Sequence, residues 1–206
     1  MVISYLGKQF FKVSVGDTVL AFNPVSKDSK HKASRFGADI ALITVDHPDY
    51  NGAEMLTFGD KVPFVISGPG EYEIKEIFVK GVPSESSIKE KINTIYTLEL
   101  DKINLCFLGT VAGKLPADSR AGIEAVDILF VPVSGALSAS DVYQLAVSFE
   151  PKVIIPMEYE EGSESFKKFL KEGDAKLSEA VDKLTVKAKD IEGKEAEIIV
   201  LAPSNQ

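Results

Sequence analysis

The chain has 206 residues, of which 45% are hydrophobic and 26% are charged, and it carries a formal net charge of −8 with a pI near 4.9. Because this composition is that of a globular protein with one large hydrophobic core, we expect a single domain over residues 1–206. Nucleic-acid affinity comes mainly from lysine and arginine side chains that neutralise phosphates, so the acidic balance argues against a nucleic-acid partner.

Cysteine usage and the N-terminal sequence predict a cytoplasmic protein. The single cysteine, Cys106, excludes an internal disulfide and fits a reducing compartment, and its apolar neighbours predict a packed thiol. Residues 1–11 show no positively charged leader followed by an apolar segment. No stretch reaches the roughly 18 apolar residues that a membrane span requires, so we expect no membrane contact.

Short β-like runs fill the first half of the chain, separated by glycine, proline, asparagine and aspartate, which favour turns. They predict strands over residues 2–6, 10–15, 18–22, 39–44, 63–67, 71–82, 94–100 and 103–109.

The second half combines helical spacing with continuous apolar runs. Helices are predicted over residues 117–126, 138–149 (with Ser138 as the N-cap) and 162–173, and buried strands over 127–133 and 152–157. Residues 183–190 and 194–202 flank a short turn and predict a closing hairpin. This order of elements predicts two β-rich sheets with helices on their outer faces.

One segment, ALITVDHPDY at residues 41–50, begins as a buried strand and then turns abruptly polar. The polar part contains Asp46, His47 and Asp49, side chain types that can bind a metal ion. The same side chains can instead form hydrogen bonds within a tight proline-containing turn, so both interpretations stay open at this point.

Motifs along nearly the whole chain resemble those of the metallo-β-lactamase-like hydrolases, in the same order and at about the same spacing. They are ISYLG, TVLAFNP, ADIALIT, SGPGEYEI, VKGVPS, LCFLG, DILFVPV and EPKVIIPMEY. The chain is most similar to the small single-domain branch of metal-dependent hydrolases. The resemblance implies an αββα four-layer sandwich, with two mixed β-sheets flanked by helices and the active site at one edge of the sandwich.

Most positions that carry metal ligands in that family are substituted here. The family's Thr-His-x-His-x-Asp-His loop corresponds to TVDHPDY, in which His47 and Asp49 match, while Val45 and Tyr50 replace two histidines. Glu158 in IPMEY takes the place of the final histidine.

Further ligand positions differ as well. Thr110 in FLGT replaces the bridging aspartate, and Lys8 replaces the histidine of an early Leu-Gly-His. Asn23 stands where the branch has an aspartate before a proline, and Ser84, Glu85 and Ser86 lie where another histidine would be sought. Lys8 and Thr110 are therefore candidate cleft residues without a confident catalytic role.

The histidine count limits the metal chemistry. A catalytic zinc ion is typically held by three protein ligands, with nitrogen or sulfur preferred, and the chain has only His31 and His47. An apolar Val45 facing such a site would desolvate a cation without donating an electron pair. We therefore expect no cofactor or, at most, one divalent metal ion (Zn, Mn or Fe).

Two functional hypotheses follow, and the sequence leaves open whether the protein is an enzyme. In the favoured one, the chain is a pseudo-hydrolase, a binding or assembly module whose partner is a protein or a small molecule in the old cleft. Glu158 is then exposed or paired with Lys8.

In the alternative, His47, Asp49 and Glu158 converge on a single metal of a hydrolase acting on phosphoester, ester or lactone substrates. Lys8 would then stabilise the developing oxyanion. Asp46, Glu71 and Glu85 are further carboxylates that could complete the ligand shell. A homodimer is a further expectation from the fold.

Overall fold

Two β-sheets lie face to face in the computed structural model, which describes residues 1–204. The strands are β1 Val2–Tyr5, β2 Phe11–Val15, β3 Thr18–Phe22, β4 Ile40–Leu42, β5 Phe64–Ile66, β6 Gly70–Ile74, β7 Ile77–Glu85, β8 Ile92–Leu100, β9 Ile103–Phe107, β10 Ile128–Pro132, β11 Val153–Met157, β12 Leu184–Thr185 and β13 Glu197–Ile198. The helices are α1 Ala117–Ala121, α2 Ala139–Val147 and α3 Glu164–Glu172. Single 3₁₀ turns occur at Ala53–Leu56, Leu177–Glu179 and Ala188–Ile191.

Both sheets are mixed. The six-stranded sheet has the order β12-β1-β2-β3-β4-β5, in which β3, β4 and β5 are parallel to one another. The seven-stranded sheet has the order β13-β11-β10-β9-β8-β7-β6, in which β9, β10, β11 and β13 are parallel. Because parallel strands end at the same edge of a sheet, the loops after β3, β4, β9 and β11 are brought to the edges of the sandwich.

Alternating side chains divide the first sheet into an inner and an outer face. Leu20 and Phe22 of β3 belong to the core between the sheets, whereas Ala21 belongs to a separate outer cluster. The Phe22 ring lies 4.8 Å from that of Phe107 on the opposite sheet. Full burial of each such ring stabilises the fold by roughly 1.5–3 kcal/mol, so this contact fixes the strand ends that precede the polar edge.

The predicted four-layer sandwich is confirmed, and its two outer layers differ. Helices α1 to α3 pack on the outer face of the seven-stranded sheet, where Ser138 Oγ accepts the N-cap hydrogen bond of α2 from the Asp141 N–H. The outer face of the six-stranded sheet is covered mainly by a loop, residues 24–37, and by the 3₁₀ turn at Ala53–Leu56. No helix in the described part of the chain is long and apolar enough to cross a membrane.

Three predictions about local structure are wrong. The single strand predicted over residues 71–82 is two antiparallel strands, β6 and β7, because the chain turns at Lys75 and Glu76, which both have positive φ. The helix predicted over residues 117–126 ends at Ala121, since Gly122 caps it. The closing hairpin does not form, because β12 pairs with β1 and β13 pairs with β11 of the other sheet. Each sheet thus gains one short edge strand, and an isolated two-stranded hairpin would have been only marginally stable.

Candidate functional site

Polar residues follow the ends of strands from both sheets at one edge of the sandwich. Asn23 directly follows β3, Thr44 follows β4 by two positions, and Glu158 directly follows β11. The two sheets meet here, since the Thr94 N–H donates to the Thr44 carbonyl at 2.8 Å and the Tyr50 hydroxyl reaches Glu158. This is the edge at which the sequence resemblance places the active site.

The Glu158 carboxylate is held by three side chains. Lys8 Nζ lies 2.5 Å from Oε1, and the Tyr50 hydroxyl donates to the same oxygen at 2.8 Å. Gln9 Nε2 donates to Oε2 at 2.7 Å. Lys8 and Glu158 are only 23% and 15% exposed, so the pair is shielded from water on most sides. Of the two alternatives that the sequence left open for Glu158, partly exposed or paired with Lys8, the structure shows the pair.

Backbone strain accompanies this pair. Lys8, Asn23 and Glu158 all adopt positive φ values of 53°, 44° and 51°, which non-glycine residues rarely do. The Glu158 N–H donates to the Lys8 carbonyl at 2.6 Å and to the Tyr5 hydroxyl at 3.1 Å, so local hydrogen bonds maintain the conformation. Eight other non-glycine residues of the described chain also have positive φ, so this conformation does not by itself identify a functional site.

Behind Glu158 lies a chain of neutral hydrogen bonds. Asn23 Nδ2 donates to Gln9 Oε1 at 2.9 Å and to Thr44 Oγ1 at 2.8 Å, while the Thr44 N–H donates to Asn23 Oδ1. Gln9 thus connects Asn23 to the Glu158 carboxylate. All three neutral side chains are buried, which makes this the inner wall of the site.

A second amide continues this wall on the seven-stranded sheet. Asn93 Oδ1 accepts from the Thr110 N–H at 2.9 Å, and Asn93 Nδ2 donates to Ser84 Oγ and to the Leu108 carbonyl. Thr110 Oγ1 lies 2.8 Å from Ser86 Oγ. The position of the family's bridging aspartate is therefore a neutral hydroxyl with partners already within the chain.

Asp49 is the centre of a more exposed group of charges. Its Oδ1 accepts from Ser29 Oγ at 2.5 Å, and its Oδ2 lies 3.8 Å from Lys8 Nζ. His31 Nε2 and His47 Nδ1 approach the same oxygen at 3.6 and 3.9 Å. Both histidines of the chain thus meet at one carboxylate. Sequence reasoning missed His31, because its loop returns to the cleft only through tertiary packing.

The other candidate residues lie away from Glu158. Val45 is buried, and Asp46 points outward to Lys91 at 3.0 Å. Glu71 is exposed on β6, and Glu85 is exposed at the end of β7 near Gly113. None of the three extra carboxylates contacts Glu158 within the described residues.

The donor set in this arrangement does not fit a metal ion. The Lys8 ammonium lies between the Asp49 and Glu158 carboxylates, and the chain's own donors contact both Glu158 oxygens. His47 Nδ1 already accepts from the Asp49 N–H at 3.2 Å. Over residues 1–204, no cluster of three or more His, Cys, Asp or Glu side chains has metal-binding geometry. Metal binding by His47, Asp49 and Glu158 stays a prediction.

Tyr50 serves as a hydrogen-bond donor rather than as an acid. Burial raises its pKa far above the usual value, and the Glu158 charge raises it further. Burial likewise raises the pKa of Tyr5, which donates to the Lys8 carbonyl at 2.7 Å. Both hydroxyls therefore stay protonated across the physiological range and stabilise the lysine–glutamate pair.

An open cleft of about 620 Å³ lies beside this site. The strand end at Val45, the β5 edge at Val65 and the start of β8 at Ile92 contribute to its walls. Val65 and Ile92 are 43% and 70% exposed, which is unusual for large aliphatic side chains. The Asp46–Lys91 ion pair lies at its rim.

Comparisons with known proteins agree with this architecture. A family model described as a beta-lactamase superfamily domain matches residues 2–158. No curated protein matches the chain well enough to count as a relative.

Solved structures match the fold over nearly the full chain. A Thermotoga maritima protein assigned as a Zn-dependent hydrolase of the metallo-β-lactamase superfamily has a TM-score of 0.77 at 23% identity, over 97% of each chain. Igni18, a metallo hydrolase from the archaeon Ignicoccus hospitalis, has a TM-score of 0.62 at 16% identity, over 99% of this chain and 96% of its own. YhfI, a metallo-β-lactamase fold protein from Bacillus subtilis, has a TM-score of 0.60 at 8% identity, over 98% of this chain and 97% of its own. At these low identities, the structural matches show only that the fold is shared. The family model that matches residues 2–158 shows to which family the chain belongs. The chain belongs to the metallo-β-lactamase superfamily.

Proposed function

We propose that this protein is a non-catalytic member of its superfamily and acts as a binding or assembly module. The observation that carries the proposal is the Lys8–Glu158 pair at 2.5 Å, with Tyr50 and Gln9 on the remaining carboxylate positions. A tethered ammonium group neutralises the carboxylate at the place where the family holds a metal. With neither an open coordination position nor a group that lowers the pKa of water, hydrolysis lacks an activated nucleophile.

The cleft beside the site supports a binding role. Val65 and Ile92 line the cleft with exposed apolar side chains, and Asp46 and Lys91 add an ion pair to its lining. Concave surfaces with apolar walls and a few polar groups are the usual form of ligand sites. A protein segment or a small molecule would be the occupant, and the acidic net charge argues against nucleic acid.

The competing hypothesis is a hydrolase with one metal held by His47, Asp49 and Glu158. It requires Lys8 to leave Glu158 and Asp49, since an ammonium group and a divalent cation repel each other at that distance. The two hypotheses therefore predict opposite metal contents.

Elemental analysis of the untagged protein tests the proposal. The protein is expressed with zinc, manganese and iron in the medium, beside His47→Ala and His31→Ala, because both histidines lie near Asp49. We expect metal well below one equivalent in all three proteins and no turnover of phosphodiesters or lactones. Near-stoichiometric metal in the wild type that is lost in His47→Ala would overturn the proposal in favour of the hydrolase, and its loss in His31→Ala as well would add His31 to the ligands.

A further inference from the structure

Two loops of opposite charge border the mouth of the site. The first, called the basic loop here, covers residues 24–37 and contains Lys27, Lys30, Lys32 and Arg35 against Asp28 alone. Since the whole chain carries −8 and this loop +3, the remaining residues carry −11. The basic loop is therefore a local exception on an acidic protein.

The second loop, called the acidic loop here, covers residues 159–163 and follows Glu158 directly. It contains Glu160 and Glu161, both exposed, and no basic residue. Its backbone position is fixed at both ends, since Tyr159 donates to the Leu201 carbonyl and Ser163 caps α3.

Side chain contacts place the two loops on the same rim. Ser29 and His31 of the basic loop contact Asp49, and Lys8 connects Asp49 to Glu158, where the acidic loop begins. The two charged loops are thus separated by one lysine side chain and the carboxylates beside it.

The lysine and arginine side chains of the basic loop and the two glutamates of the acidic loop form no ion pairs with other described residues. Over residues 1–204, none of the four lysine and arginine side chains of the basic loop lies within 4.0 Å of a carboxylate, and neither Glu160 nor Glu161 forms an ion pair. These lysine, arginine and glutamate side chains are exposed and therefore present their charges to solvent.

We propose that this rim is a self-complementary interface, in which the basic loop of one copy packs against the acidic loop of a second copy. A two-fold axis through the interface, midway between the two loops, places the basic loop of each copy opposite the acidic loop of the other, so the same charge contact forms twice. The inference goes beyond the proposed function, because it assigns the rim formed by the two loops, rather than the cleft at Val65 and Ile92, to a contact between copies of the chain.

The expected strength of this contact is modest. Exposed ion pairs contribute little individually, and fewer residues take part than in a standard interface of about 20–30 residues a side. The dimer should therefore form at low ionic strength and dissociate as salt screens the charges. We expect its dissociation constant to rise by about tenfold or more between 20 and 200 mM salt.

Sedimentation velocity of the full chain tests the inference. At about 20 mM salt we expect a species of twice the 22.3 kDa chain mass. Lys30→Glu/Lys32→Glu and, separately, Glu160→Lys/Glu161→Lys should each give monomers, since like charges then face one another. An equimolar mixture of these two variants should restore the dimer, because each loop again meets an opposite charge.

The matched control is Lys187→Glu/Lys189→Glu, which reverses two exposed lysines of the same spacing outside the rim. This variant should dimerise like the wild type. A wild type that stays monomeric at low salt overturns the inference, as does a dimer that survives both salt and the loop reversals. A monomer whose basic loop instead binds a polyglutamate peptide overturns it in favour of an acidic partner.

Metal content is measured on the same samples and is independent of oligomeric state. If the protein is a monomer without metal, only the proposed dimer is contradicted. If it is a dimer with stoichiometric metal, only the proposal of a non-catalytic protein is contradicted. Circular dichroism of each reversed variant confirms that loss of the dimer reflects charge rather than unfolding.

Discussion

The inner and outer halves of the polar edge differ in charge and in exposure. An inner amide cluster contains neutral side chains that are at most 1% exposed, namely Gln9, Asn23, Thr44, Asn93 and Thr110. An outer charged cluster contains partly exposed side chains, namely Lys8, His31, His47, Asp49 and Glu158. Truncating a buried amide leaves its partners without hydrogen bonds, whereas water compensates a partly exposed ion. The fold therefore depends on the inner cluster, and the outer cluster is open to functional change.

The largest expected effect lies in the inner amide cluster at Gly109. This residue has φ of 62°, and a Cβ there would lie 2.4 Å from Asn93 Oδ1 and 2.7 Å from Thr44. Gly109→Ala forces both halves of the cluster apart, so we expect a loss of about 3–5 kcal/mol in the free energy of unfolding. Urea denaturation measures it. Gly113→Ala is the control, since its nearest neighbour lies 3.8 Å away, and equal losses in both variants would contradict the comparison.

Asp39 provides a lysine-paired carboxylate outside the cleft. Burial alone would raise its pKa, but hydrogen bonds from Lys61 and Lys75 and from the Val19 N–H lower it to about 2. Since the folded pKa lies below the unfolded value, the stabilisation is present above about pH 4 and is lost as the pH falls through 2.

Asp39→Asn should therefore lower the free energy of unfolding by about 2 kcal/mol at pH 7 and flatten its dependence on pH between about 4 and 2. Thermal unfolding across this pH range measures the effect. Asp46→Asn is the control, because its exposed pair with Lys91 should contribute less than about 0.5 kcal/mol. A steep acid dependence that persists in Asp39→Asn would contradict the assignment.

A smaller effect is expected when Lys8 becomes Met. The variant leaves the Asp49 and Glu158 carboxylates without their cation, so we expect a loss of about 1–2 kcal/mol, reduced by partial exposure. Added Mn²⁺ should raise the melting temperature of this variant and leave the wild type unchanged.

The double variant Lys8→Met/Glu158→Gln measures the coupling between the two side chains. The glutamine keeps one carbonyl oxygen that can accept from Tyr50 or Gln9, and it removes the negative charge left without its cation, so part of the lost stability should return. If the loss of stability in the double variant equals the sum of the losses in Lys8→Met and Glu158→Gln, the two side chains do not act as a unit.

The smallest effect is expected for His47→Ala. Its side chain is 38% exposed, and its hydrogen bond from the Asp49 N–H is long at 3.2 Å. We expect a change of less than about 0.5 kcal/mol in unfolding free energy, measured by urea denaturation. A loss comparable to that of Lys8→Met would assign His47 a larger role in the outer charged cluster.

Local sequence patterns predicted most of the sandwich but only part of the site. Strand β3 is confirmed at its predicted boundaries, and the Ser138 N-cap of α2 is confirmed as well, because period and capping are local signals. The contact between His31 and Asp49 could not be predicted, since the basic loop has neither periodicity nor a motif that fixes its path. The closing hairpin failed for a related reason, because two-residue strands take their partners from whichever edge is free.

The inner amide cluster was also missed, although a signal for part of it was present. Asn23 replaces an aspartate of the family motif. Because an asparagine is uncharged, it can be fully buried at this position without the cost of burying a charge. Asn93 carries no such signal, since an asparagine near a strand start is ordinary in a turn.

The arrangement of β12 and β13 has a consequence for how the protein is made on the ribosome. These strands lie thirteen positions apart in sequence, yet they complete opposite sheets, β12 beside β1 and β13 beside β11. Neither sheet has its full set of strands until residues 184–198 have left the exit tunnel. In a nascent chain the edge of β1 therefore stays uncovered until β12 has emerged, and the edge of β11 stays uncovered until β13 has emerged.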